Sequence, residues 1–258
     1  MKILESLHDR LPETGKLQRI VIVSPETGAR YLSAVLVRIP AGHEFPLHTH
    51  PLSEDCFFAL SGSGEAIEPG ASISISAPSC VWIPVGHPHG LRAGPAGMLE
   101  LGVQAPPDPT AVACDPHAAA ATPPGLLTQA LSASPGSTGP SAEWIPLFPR
   151  RPGLRYLDPC YATLSTSGRL VAEAGEGELL VIAAQGAVNL TSAGDRRLSA
   201  LGALLLNPGA AVTLHAVEGP ALLIGISARA PSSKPPPATE PNGQPGSPGS
   251  GRAAERRR

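Results

Sequence analysis

Apolar and polar positions alternate with a period of two over most of the first hundred residues. Short aliphatic runs at Ile20–Val23, Tyr31–Ile39, Cys56–Leu60, Ser72–Ser76, Val81–Ile83 and Met98–Val103 are punctuated by Gly and Pro clusters. That is the pattern of half-buried strands joined by turns, so residues 1–104 read as an all-β sandwich or barrel. The rhythm is lost over 105–142, where Ala, Pro, Ser and Gly dominate, and this stretch reads as a connector with one short helix near Gly125–Leu131. It resumes over 143–230, in Arg169–Glu173, Glu178–Ala184, Ala187–Thr191, Ala203–Leu206, Ala211–Ala216 and Ala221–Ser227. Residues 231–258 hold seven Pro and four Gly and few apolar side chains, a composition that cannot build a core, so a disordered tail is expected there.

Composition sharpens this picture. Hydrophobic residues make up 42% of the 258 but aromatics only 3%, so the core must be aliphatic. With 31 Pro, long helices are excluded, because each internal Pro removes a hydrogen bond and clashes with the preceding turn. Nineteen basic against 21 acidic residues give a formal charge of −2, which offers no electrostatic case for nucleic acid or an anionic membrane surface. The tail, with five basic and two acidic residues, reads as a solvated extension. Cys56, Cys80, Cys114 and Cys160 are scattered, without the spacing of a disulfide framework or a CxxC site. Glu5 and Asp9 interrupt the apolar stretch a signal peptide would need, and no apolar run is long enough to span a membrane. A cytoplasmic protein is expected.

Four of the eight histidines fall in two short pairs, His48–Thr49–His50 and His87–Pro88–His89. Residues two apart on a strand face the same way, so each pair presents two imidazoles to one side. Imidazoles grouped with a nearby carboxylate make a site for a divalent transition metal. His8, His43, His117 and His215 stand apart and read as ordinary polar groups. His43–Glu44 does not open a helical HExxH site, since Leu47 stands where the second His would be and Pro46 breaks the helix.

These residues resemble the two motifs of the cupin superfamily. Gly42, five residues, His48, Thr49, His50 and then Gly62 follow the first motif, G-x5-H-x-H-x3,4-E-x6-G. Its acidic position falls on Glu54 counting forward from His50, and on Asp55 counting back from Gly62; Asp55 is preferred and Glu54 is the alternative. Pro84, Gly86 and His89 follow the second motif, with Pro78 where that motif begins in Gly and Ala93 where it ends in Asn. The resemblance covers residues 30–103 and implies an antiparallel jelly-roll barrel holding one divalent metal, Fe(II) or Mn(II) before Zn(II) or Ni(II). The metal ligands it implies are His48, His50, His89 and Asp55 or Glu54. His87 is placed near the metal as a proton shuttle, with Phe57 or Phe58, Trp82 and Ile83 on the pocket wall.

The second half echoes the first. Glu178–Gly186 parallels the strand ending in Gly62, and Leu206–Gly209 parallels Ile83–Gly86, but no HxH occurs and Ala211 and Val212 follow the turn where a ligand His would stand. The chain therefore reads as two cupin-type barrels in tandem, a bicupin, with a metal site in residues 1–104 and a degenerate barrel in 143–230. The function implied is a metal-dependent enzyme acting on a small oxygenated metabolite, a dioxygenase or an isomerase. The alternative is a non-catalytic cupin that binds a metal or metabolite as a sensor. Pairing of barrels into a homodimer is a further expectation of the resemblance.

Overall fold

The structure is a computed structural model, and it describes residues 1–4, 7, 11, 15–108, 110, 112–114, 125–132, 141–149, 156–191 and 196–229. The stretch 231–258, read above as a disordered tail, lies outside the described residues, as do His8 and His117. Among the described residues seventeen strands follow one another: β1 Lys2–Leu4, β2 Gln18–Val23, β3 Ser33–Ile39, β4 Glu44–Thr49, β5 Glu54–Glu68, β6 Ala71–Ser76, β7 Ser79–Ile83, β8 His89–Ala105, β9 Val112–Ala113, β10 Leu127–Ala130, β11 Ile145–Pro146, β12 Leu157–Leu164, β13 Arg169–Glu173, β14 Glu178–Leu190, β15 Arg196–Leu198, β16 Ala203–Leu206 and β17 Ala211–Ala228. There is no α-helix among the described residues, and the fold is all-β with antiparallel pairing between the strands. No helix among them is long and apolar enough to cross a membrane. Where a short helix near 125–131 is expected from the sequence, the chain instead forms β10, which adds to the edge of β7.

The long strands make the barrel. The first part of β5 pairs with β7 and with the end of β8, while its second part pairs with β6 and the start of β8. β3 lies along the end of β8, and β4 along its start. Register breaks between Gly62 and Gly64, where β5 bends from one face of the barrel to the other. Gly62 has φ +81°, and a Cβ there would lie 2.1 Å from the Gly97 carbonyl oxygen, so only glycine lets the two strands touch at the bend. The Gly62–Gly64 stretch, which in sequence resembles a hairpin turn, is therefore a bend inside a continuous strand, and β5 turns at Pro69–Gly70.

Residues 145–228 repeat the same wiring. β14 pairs first with β16 and the end of β17, then with β15 and the start of β17, while β12 and β13 take the places of β3 and β4. Two strands cross between the halves. β1 pairs with β16 of the second sheet, and β10 pairs with β7 of the first, in the same relative position.

Three aliphatic cores result. One lies between the halves and takes Ile22, Leu36, Phe58, Trp82 and Leu101 from the first and Leu180, Ile182, Leu205, Ile224 and Ile226 from the second. The second fills the inside of the 145–228 barrel, where Val181, Val188, Leu190, Leu204 and Leu214 have no exposed surface. The third lines the first barrel with Val37, Phe57, Ala59, Val81, Ile83 and Leu91. Two buried glutamates join the halves in matching fashion. Glu54, at the start of β5, accepts the Tyr156 and Leu157 backbone N–H groups at 2.9 and 2.8 Å and the Trp82 indole N–H at 2.8 Å. Glu178, at the start of β14, accepts the Arg30 and Tyr31 backbone N–H groups, each at 2.8 Å.

Candidate metal centre

β4 and β8 meet at His48 and His89, which are register partners, and His50 follows at the end of β4. The three rings lie with centroids 4.4 to 5.7 Å apart, and one ligand nitrogen from each falls within 4.8 Å of the others. Each ring is pinned from behind. The His48 Nδ1–H donates to the Pro46 carbonyl at 3.0 Å, that of His50 to Thr110 at 2.9 Å and that of His89 to His87 at 2.9 Å. A carbonyl oxygen can only accept, so Nδ1 carries the hydrogen in all three, and each Nε2 presents a lone pair, that of His50 accepting from the Gln104 amide. Anchoring one ring nitrogen while the other faces a common point is how proteins orient imidazole ligands.

Asp55 completes the group from β5. Its Oδ2 lies 3.7 Å from His50 Nε2 and 3.5 Å from His89 Nε2, and its Oδ1 is buried without a hydrogen-bond partner. Burial pushes the Asp55 carboxyl well above the usual range, with the nearby carboxylates Asp108, Glu54 and Glu100 adding to it. Burial also lowers His50, and takes His89 down to about 3, aided by the neighbouring His48. Three imidazoles with convergent lone pairs, two of them buried, beside a buried carboxylate oxygen without a partner make a donor set suited to a divalent cation. The residues present fit a divalent transition metal.

The structure separates the two adjacent acids. Neighbours on a strand face opposite sides, so Asp55 shares the barrel interior with Phe57 and Ala59 while Glu54 faces the core between the halves. The Glu54 carboxylate is committed to Trp82 and the 156–157 backbone and is not part of the histidine group. By the same parity Trp82 and Phe58 leave the pocket wall, and Phe57 and Ile83 remain on it.

His87 also differs from the expectation. β8 begins at His89, so His87 lies in the preceding loop and strand parity does not apply to it. Its ring turns away from the three histidines, and Nε2–H donates to Glu68 Oε2 at 3.0 Å. The same oxygen accepts the Gly125 and Leu126 N–H groups at 2.8 and 3.3 Å, tying the 125–130 strap to the barrel. The side chain that would shuttle protons is thus occupied in holding the strap, and only the His87 carbonyl serves the site, through His89. The Pro84–Gly86 turn does what the motif implies: Gly86, at φ +71°, donates its N–H to the His50 carbonyl at 3.0 Å and brings β8 back beside β4.

Three more residues belong to the site without any sequence signal. The Gln104 amide donates to His50 Nε2 at 2.9 Å and also hydrogen-bonds Asp55. Asp108 accepts the Thr110 and Leu52 N–H groups, fixing the Thr110 carbonyl that orients His50. Glu100, two positions before Gly102 on the interior face of β8, is pushed up to about 7 by burial, against the opposing charge of Arg19.

No family model matches the sequence, and no curated protein matches it. Solved structures do. A cupin 2 conserved barrel protein from Leptotrichia buccalis aligns at TM-score 0.59 and 12% identity, over 88% of this chain and 96% of that one. Oxalate decarboxylase from Lactobacillus farciminis, in a formate complex, aligns at TM-score 0.62 and 15% identity, over 90% and 87%. Salicylate 1,2-dioxygenase from Pseudoaminobacter salicylatoxidans, in a structure with gentisate, aligns at TM-score 0.63 and 12% identity, over 86% and 76%. At these identities the likeness is one of fold: this chain has the architecture of cupin-domain proteins.

Proposed function

We propose that this protein is a metal-dependent cupin enzyme acting on a small oxygenated metabolite, with one divalent transition metal, Fe(II) or Mn(II), held by His48, His50, His89 and Asp55. The observation that carries this reading is the shared anchoring of three Nδ1 atoms on backbone carbonyls, with the His50 and His89 Nε2 atoms 3.7 and 3.5 Å from Asp55 Oδ2 and the other Asp55 oxygen buried without a partner. Histidines that serve structure alone have no need to converge their Nε2 atoms, and the unpartnered Asp55 oxygen beside them is costly to bury without a ligand. A metal bound there supplies a Lewis acid for an oxygen of the substrate. The chain itself keeps His50 and His89 neutral by burial, orients all three imidazoles, and excludes bulk water from Asp55.

In this reading the chain is a bicupin whose second barrel holds no metal. Support comes from its filled interior and from Leu179, which follows Glu178 where Asp55 follows Glu54. The similar structures include a decarboxylase with formate and a dioxygenase with gentisate, which is in keeping with a small carbonyl or carboxylate compound as substrate. The test is elemental mass spectrometry on untagged full-length protein. About one equivalent of Fe or Mn per chain is expected, lost in His48→Ala and in Asp55→Asn; a full equivalent retained in both variants refutes the ligand set.

A further inference from the structure

The interior of the first barrel is less completely buried than that of the second. Along β8, Leu99, Leu101 and Val103 face the core between the halves, while Met98, Glu100, Gly102 and Gln104 face the barrel interior. Glu100, Gly102, Gln104 and Val35 retain accessible surface, in contrast to the sealed interior of the second barrel. Gly102 has no side chain to occupy the space between Glu100 and Gln104. A Cβ there would lie 3.3 Å from Glu100 Oε1, so the carboxyl leans along the strand toward the end of the barrel where Gln104 touches His50 and Asp55. Register sets Val37 of β3 and Ala59 of β5 beside Glu100, and Val35 and Phe57 beside Gly102. Among the described residues no hydrogen bond ties the Glu100 carboxyl down.

Resting on the metal reading above, we infer that this interior is the substrate chamber, that its substrate is a small carbonyl compound with a C–H next to the carbonyl, and that Glu100 is its proton-transfer residue. A carboxyl that serves only packing is paired; one left without a hydrogen bond on an apolar wall, beside residues that keep accessible surface, is placed to act on what enters. Its raised affinity for a proton, about 7, suits exchange at neutral pH. The step balances without an oxidant. Glu100 carboxylate takes the proton, the C–H pair becomes the C=C bond of an enolate, and the carbonyl π pair moves to oxygen. Return of a proton to the same carbon gives exchange and restores Glu100; in an α-hydroxy compound the hydroxyl proton passes to the former carbonyl oxygen, the hydroxyl oxygen becomes the new carbonyl, and the Glu100 proton goes to the former carbonyl carbon, which gives the isomer. The groups that bear on Glu100 are Arg19 from β2 and Asp55 from β5, whereas β3 presents only Val35 and Val37.

Two measurements on the full-length chain test this. Carbon-13 NMR of side-chain-labelled glutamate, on metal-free protein, should show one carboxyl titrating near 7 that is absent in Glu100→Gln. Proton NMR in D2O should show the metal-loaded protein placing deuterium next to the carbonyl of at least one of dihydroxyacetone, glyceraldehyde or pyruvate. Glu100→Gln should slow this by 100-fold or more at equal metal content, and Glu100→Asp should restore part of it. A Glu100 midpoint below about 5, exchange in Glu100→Gln within twofold of wild type, or no exchange above His48→Ala with any of the three compounds overturns the inference. A chain that takes up no metal refutes the metal centre and the inference with it, whereas one that takes up metal and shows no exchange overturns the inference alone.

Discussion

Replacing Glu54 tests the division of labour between the two adjacent acids. Its carboxylate is completely buried and accepts three N–H groups, two of them from the backbone of the other half at Tyr156 and Leu157. Glu54→Ala leaves all three donors in a core with no water to take them. Stripping one partner from a buried charged network costs about 3–5 kcal/mol, and three orphaned donors at about 1–3 kcal/mol each point to the same range or above. Glu54→Gln is milder, because its amide oxygen can still receive the two backbone groups while its NH2 opposes the indole N–H; about 2 kcal/mol is expected. Urea unfolding at pH 7 followed by circular dichroism reads both, and elemental analysis of the same samples reads the metal. Both Glu54 variants should keep their metal and lose stability, whereas Asp55→Asn should lose its metal. A Glu54→Ala protein within 1 kcal/mol of wild type would refute the clasp, and a Glu54→Gln protein without metal would place the ligand on the wrong acid.

Gly62→Ala forces a Cβ against the Gly97 carbonyl at a left-handed φ, and should cost about 3 kcal/mol by urea unfolding; a loss below 1 kcal/mol would mean the bend relaxes freely. Glu100, raised from 4.5 to about 7, holds more protons folded than unfolded, so it subtracts from stability as pH rises from 4.5 to 7. In metal-free protein Glu100→Gln should therefore gain on wild type by up to about 3 kcal/mol between pH 4.5 and pH 8, and an equal difference at both pH values contradicts this. His89 runs the other way. Its folded value of about 3 lies below the ordinary 6.5, so metal-free protein loses stability as pH falls below 6.5. His89→Gln should remove part of that loss, read as a shallower fall in melting temperature from pH 6.5 to pH 4, and an unchanged slope refutes it.

The grouping of the three histidines was legible because it is local. His48 and His50 sit two apart at the end of β4, and the Pro84–Gly86 turn returns His89 to them. The choice between Glu54 and Asp55 was not legible, since alternation says that two neighbours face opposite ways but not which way is inward. In this fold both faces of β5 are buried, one against the barrel interior and one against the other half. The same ambiguity hid Glu100 and Gln104: in Met98–Gln104 the polar alternate positions look solvent-facing, yet they face the inside of the barrel. His87 misled for a different reason, because the parity that links it to His89 begins only where the strand does. The Glu68–Gly125 contact that claims its ring joins residues 57 apart, beyond any local pattern.

The crossing of β1 and β10 means that neither half owns all of its strands. A fragment cut within the connector ahead of residue 127 leaves the first sheet with β7 bare along one side and leaves β1 with nothing to pair. Its complement carries β10 as a loose strand beside an uncovered β16. Each piece would offer an open template and a free strand that fits the other piece's template, the arrangement from which exchanged dimers and aggregates grow. Mixing the two fragments should rebuild the whole more readily than either folds alone. The intact chain, for the same reason, should come apart as a single unit.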